Sequence, residues 1–300
     1  MKASLRLLMN SVIDYAGLFP PAGLSMIEAI RNYAEYCTGE ASWMLGRFIL
    51  PVCRIDEFEA CMETLLIPEE VRVGWCLSVL GTENAEDDLL RIRSFNSQHA
   101  GNPDSRGVVI DAIELKTSDV NAIRNAGKIL AGSLDTYFEI PIAFSEDFVA
   151  AIAANRGKAK VRTGGLAPEA FPTPAQLAGF ILRCVAANIS FKATAGLHHA
   201  IRSMHPLTFD ASSPFCEMHG FVNLLLASAF AYAGADAGQV EAILLENNAE
   251  AFDLEENAFS WRKQWLGGDV LKEMRKRVCI SFGSCSFEDP IRDLKDLKWL

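Results

Sequence analysis

Paired cysteines are missing from this sequence. Its eight cysteines (37, 53, 61, 76, 184, 216, 279 and 285) are scattered through apolar stretches without a C-x-x-C pair, which argues against a disulfide framework and fits reduced, buried thiols in a cytoplasmic protein. Positive charge is also scarce. With 28 Lys and Arg against 38 Asp and Glu, the surface is unsuited to nucleic acid or an anionic membrane, because both need clustered cations. The partner to expect is a small anionic molecule held in a local basic pocket. No apolar run is long enough to span a bilayer: residues 221–235 stop at Asp236 and read as a buried or homo-oligomer-facing helix. The run 5–18 is broken by Arg6, Asn10 and Asp14, so it does not read as a signal peptide. No low-complexity linker divides the chain, and 1–300 reads as a single domain.

A repeating rhythm is present instead. Short apolar, β-branched runs at 11–17, 47–53, 71–80, 108–116, 136–142, 158–163 and 189–195 alternate with amphipathic stretches, the pattern of βα units. Helix starts can be read chemically: Ser25 with Glu28 forms a capping box, and Thr173 with Pro174 and Gln176 adds a proline at the first helical position. Ser118 and Ser145 are further N-cap candidates. Strict alternation predicts a parallel sheet, and the absence of G-x-G-x-x-G favours an α/β fold closed as a (β/α)8 TIM barrel over a dinucleotide-binding sheet. The eighth strand has two candidates, 257–261 and 278–286, with a helix over 269–277 between them. Helices over 214–234 and 236–254 elaborate the chain after strand seven.

In such barrels the site lies at the C-terminal ends of the strands, and residues two apart share a face. Strand four then turns Glu114 and Lys116 inward, strand five Glu139, strand six Lys160 and Arg162, and strand seven Lys192 and Thr194, with Asp14 the candidate on strand one. An inward set of carboxylates and cations can be a register-fixing ion network. Converging where barrels do chemistry, it reads as a site. Arg162 precedes Thr163, Gly164 and Gly165, where bare backbone amides could cradle a carboxylate or phosphate, or where the glycines merely turn the loop. Lys192 lies among apolar neighbours near Arg162, which would favour either a neutral, imine-forming amine or a fixed cation. Glu139 or Glu114 would move the proton.

His198 and His199 follow strand seven and would act as proton shuttle or substrate ligand; His99, His205 and His219 read as packing or surface residues. A divalent metal is possible, held by Glu114, Glu139 and His198, but there is no H-x-x-x-H spacing. The segment 281–290, with Ser284 and Ser286, suits phosphate at a helix N-terminus or simple packing across the barrel. No partner histidine can be assigned there to Cys285.

Two hexapeptides, KVRTGG at 160–165 and FKATAG at 191–196, resemble the sixth and seventh strands of class I aldolases of the deoxyribose-phosphate type. The resemblance implies a barrel, an imine-forming lysine on strand six and a second lysine on strand seven that tunes it. Lys192 matches the second lysine; Arg162 stands where the first is expected, a departure from that family's mechanism. Ser284 and Ser286 are similar to its phosphate site. Shared barrels host unrelated reactions. The expectation is a carbon–carbon lyase or isomerase acting on a small carboxylated or phosphorylated carbonyl compound without a cofactor. Against it stand a metal-dependent hydrolase or epimerase and a non-catalytic anion-binding barrel.

Overall fold

The computed structural model describes residues 1–72, 74–99, 101–102, 105–144, 146–208, 210 and 212–300, with 69–70, 101–102 and 105–106 as backbone alone. Eight parallel strands close into a barrel: β1 (Ile13–Tyr15), β2 (Leu45–Pro51), β3 (Cys76–Leu80), β4 (Val109–Lys116), β5 (Asp135–Glu139), β6 (Lys158–Arg162), β7 (Phe191–Thr194) and β8 (Cys279–Ser284). Each pairs with the next in sequence, and β8 pairs with β1. The alternation of short apolar runs and amphipathic stretches has therefore produced a (β/α)8 barrel.

The eighth strand is the 278–286 candidate. Residues 257–261 belong instead to a separate antiparallel sheet of Phe252–Leu254, Ala258–Trp261 and Gln264–Gly267. The helix expected over 214–234 is shorter, because Phe215–Met218 pairs with Ser203–Pro206 as a hairpin. The helix, Phe221–Tyr232, begins only after Gly220, where a Cβ would lie 2.4 Å from Ala200 O. The next helix is Ala237–Leu245, and the chain from 252 joins the small sheet. Run 71–80 yields a strand only from Cys76, since the Val71 and Arg72 amides fold back onto Pro68 O.

Both capping boxes form, at Ser25 with Glu28 and at Thr173 with Gln176. The cap expected at Ser118 falls to Asp119, whose carboxylate accepts the Asn121 N–H; Ser145 lies outside the described residues. Phe221–Tyr232 is buried on nearly every side, packed against Pro174–Ala186, Ala237–Leu245, Gly268–Arg277 and β8. Its apolar surface is thus covered by this chain itself, the buried one of the two alternatives. The buried Asn223 is fully engaged there: it accepts from Arg202 N and donates to Ile243 O and Glu246 O, which ties the β7 loop to the helix pair.

Polar groups fill the barrel in layers. At the N-terminal end Arg47 bonds Asp111 and Asp135, and Lys158 also bonds Asp135. Asp111 and Glu114 are out of phase for one strand face, yet both pair with other strands' charges. A register shift at Ile110–Ala112 permits this; the Asn96 amide clamps the Ile110 N–H and C=O, each at 2.8 Å.

Candidate active site

A cavity of about 560 Å³ opens at the C-terminal ends of the strands, where alternation places the inward charges. Its floor includes Glu114, Lys160 and Arg162, and its walls carry Phe19, Phe171, Leu207 and Met218. Lys192 lies beneath this floor and does not line it. Its side chain is 0% exposed, with Nζ 2.5 Å from Asp14 Oδ2 and 2.8 Å from Glu114 Oε1, and 5.3 Å over the Tyr137 ring. Burial alone would lower this amine's pKa, but Asp14 and Glu114 overcome it and raise the value. Of the two readings of Lys192, a neutral amine or a fixed cation, the geometry favours the cation: its immediate neighbours are carboxylates, which stabilise the ammonium form.

Lys160, its register partner on β6, reaches the cavity floor instead. Its Nζ lies 2.7 Å from Glu114 Oε2 and 2.8 Å from Glu139 Oε2. The signal is local: Lys160 shares a strand face with Arg162. Burial would raise both glutamates, yet Lys160 with Lys192 holds Glu114, and Lys160 with Arg162 holds Glu139, below the ordinary carboxylate range. Arg162 Nε donates to Glu139 Oε1 at 3.1 Å. Its side chain is 49% exposed, and its terminal nitrogens have no partner among the described residues. Asp14, Glu114 and Glu139 thus balance Lys160, Lys192 and Arg162, and the free guanidinium edge is what remains for an anion.

The glycine motifs serve packing more than anion cradling. Gly164 meets Gly196 and Phe171: a Cβ at Gly164 would lie 2.7 Å from Phe171 Cε1 and 2.8 Å from Gly196 Cα. The two glycines make a seat for the Phe171 ring in the cavity wall. Thr163 is buried and bonds Ala195 O; Gly165 and Thr194 line the cavity. Lys116 is exposed and outside the cavity lining, because it lies at the very end of β4. Asp14 is buried with Lys192 and its Oδ1 accepts the Arg47 N–H, so it faces the barrel interior below the mouth. Replacing Gly164 with Ala is expected to cost about 1–3 kcal/mol by overpacking and to displace Phe171, read as a lowered urea midpoint with an unchanged slope.

No protein-family model, curated protein or solved structure matches this chain.

The β7 loop and the chain after β8 complete the mouth. His198 and His199 line the cavity, as does His205, which corrects the reading of His205 as an ordinary packing or surface residue. His205 stacks on His199 with ring centroids 3.3 Å apart. Burial and His199 push His205 down to about 4, while His199 Nδ1 is tied to Asp293 at 3.1 Å. His99 pairs with Glu59, and His219 bonds Pro172 O. Ser284 and Ser286 do not line the cavity: the Ser286 N–H turns to Ser284 Oγ, and Ser286 Oγ accepts the Asp289 N–H. The expected phosphate seat is therefore occupied by the turn's own hydrogen bonds. Among the described residues no group of three or more His, Cys, Asp or Glu side chains is placed to hold a metal ion. Nor is any helix among them long and apolar enough to cross a membrane.

Proposed function

We propose that the protein is a carbon–carbon lyase or isomerase for a small anionic carbonyl compound, with Lys160 as the imine-forming amine. One observation carries this reading: a lysine at the cavity floor held between two carboxylates, beside a half-exposed guanidinium. Lys160 must pass a proton to a neighbour before it can attack a carbonyl, and Glu139 is within reach. At rest Arg162 and Lys160 keep Glu139 a weak base. An arriving carboxylate or phosphate takes the free edge of Arg162 and shares its charge, so anion binding weakens the guanidinium's hold on Glu139 and strengthens it as a base. Carbonyl attack by the neutral amine, with loss of water, gives an imine. Protonated on nitrogen by the proton that Glu139 took from Lys160, that imine draws electrons from the adjacent bond, and Glu139, again a carboxylate, removes the proton required for cleavage or enolisation. Lys192 stays charged throughout and holds Glu114 against Lys160.

The test is a panel of oxo acids, sugar phosphates and neutral aldehydes, screened for ligand-induced stabilisation and then for bond cleavage or isomerisation. The expected result is stabilisation by anionic carbonyl compounds, weakened about 10- to 100-fold in affinity by Arg162→Met through loss of a charged hydrogen bond. Equal affinity in the variant, or a preference for neutral aldehydes, would overturn the anion assignment.

A further inference from the structure

One reactive cluster in the cavity has no part in the imine chemistry at Lys160. Cys285, the first residue after β8, lines the cavity, and its Sγ lies 3.9 Å from His198 Nε2 on the β7 loop. The other ring nitrogen, His198 Nδ1, faces Ser284 Oγ at 3.4 Å and Asp289 Oδ2 at 3.8 Å. Arg292 holds the second oxygen of Asp289 at 2.5 Å. The Ala22 and Cys285 backbones act to lower the thiol's pKa against the larger effect of burial. Three separate elements thus bring a thiol, an imidazole and a carboxylate into one line at the cavity wall, the order in which nucleophile, base and orienting group are arranged in acyl-transfer sites.

The resting protonation suits this order. Burial pushes the Cys285 thiol up to about 11 and pushes His198 down from its ordinary value. Near neutral pH the pair is therefore a thiol beside a neutral imidazole. With Nε2 turned to the thiol as acceptor, Nδ1 carries the hydrogen and faces Ser284 and Asp289. Both directions of the ring are then satisfied.

We propose that Cys285, His198 and Asp289 form a thiol–imidazole–carboxylate unit that adds reversibly to the carbonyl carbon of an aldehyde bound in the cavity. The sulfur–carbon bond forms as the carbonyl π bond opens. The thiol proton passes to His198 Nε2 and from there to the carbonyl oxygen, so the product is a neutral hemithioacetal. Neither an oxidant nor a leaving group is needed. Asp289 stabilises the transient imidazolium.

Alkylation of the native protein by iodoacetamide near neutral pH, read by peptide mapping, tests the unit. Exposed Cys53 serves as the internal reference for reagent, and fully buried Cys184 as the check on fold. Cys285 is expected to be alkylated, and to react at least about tenfold more slowly in His198→Ala, the loss of its general base, with Cys53 unchanged. Asp289→Asn is expected to slow it several-fold, and serves in place of His198→Ala if Cys184 becomes labelled. Millimolar glycolaldehyde is expected to protect Cys285 but not Cys53. That protection should persist in Lys160→Met, which separates thiol addition from imine formation. The proposal is overturned if native Cys285 does not react, if its rate is indifferent to His198 and Asp289, or if glycolaldehyde protects only when Lys160 is present.

Discussion

Lys192→Met is expected to destabilise the fold by about 3–5 kcal/mol, because it strands Asp14 and Glu114 as buried carboxylates with a cation removed. Asp14 loses its only ammonium partner among the described residues and keeps the Ser281 hydroxyl and the Arg47 amide. Glu114 keeps Lys160 and the Ser78 hydroxyl. The pH dependence fixes the sign of the effect. In the wild-type chain Glu114 is held below its ordinary range, so its contribution is present above the unfolded carboxylate value and is lost as pH falls below it. In the variant Glu114 loses one of the two ammonium groups that hold it low, so the stability it contributes above the acid carboxylate range shrinks. Urea unfolding at several pH values should therefore show the widest gap between the two proteins near neutrality, narrowing toward acid. A gap that is small, or constant with pH, would mean that Lys192 is not the charge that holds these carboxylates.

Glu139→Gln is expected to lower turnover by roughly 10²–10⁴-fold, the range for loss of a general acid or base. The amide keeps the shape and can still accept from Arg162, so the anion site survives while the proton acceptor is lost. Binding measured by ligand-induced stabilisation should change little compared with turnover. The wild-type profile gives the matching pH signature: Glu139 is held low by Lys160 and Arg162, and its role as base fails only as pH falls into the acid carboxylate range. Turnover and binding lost together would identify Glu139 as a binding or packing residue.

The barrel was legible because its two periods were clean. Strands four to seven alternate inward charge with outward apolar side chains, and Ser25, Glu28, Thr173 and Gln176 announce two helices by their capping chemistry. Strand parity also found the inward faces that hold Glu114, Glu139, Arg162 and Lys192. Depth was not legible. Nothing local in FKATAG tells that Lys192 stands below the floor, because that depends on Asp14 lying 178 residues away. The stagger between strands likewise decides that Lys160 opens to the cavity. The hairpin before Phe221 was hidden by composition, since Phe215–Met218 continues smoothly into an apolar helix. His205 rides on that hairpin, and Cys285 meets its imidazole only when β7 and β8 close side by side. Such contacts between distant segments leave no periodic trace in the sequence.

The central claim is a division of labour between two lysines: Lys160 as reactive amine and Lys192 as permanent ammonium. Borohydride reduction in the presence of the carbonyl panel, followed by intact mass and peptide mapping, tests it most directly. The expected result is a borohydride-dependent adduct on Lys160, absent from Lys160→Met, with Lys192 unlabelled. An adduct on Lys192, or ligand binding across the panel with no adduct at either lysine, would contradict it and leave the inward charges as a structural ion network that binds anions without forming an imine.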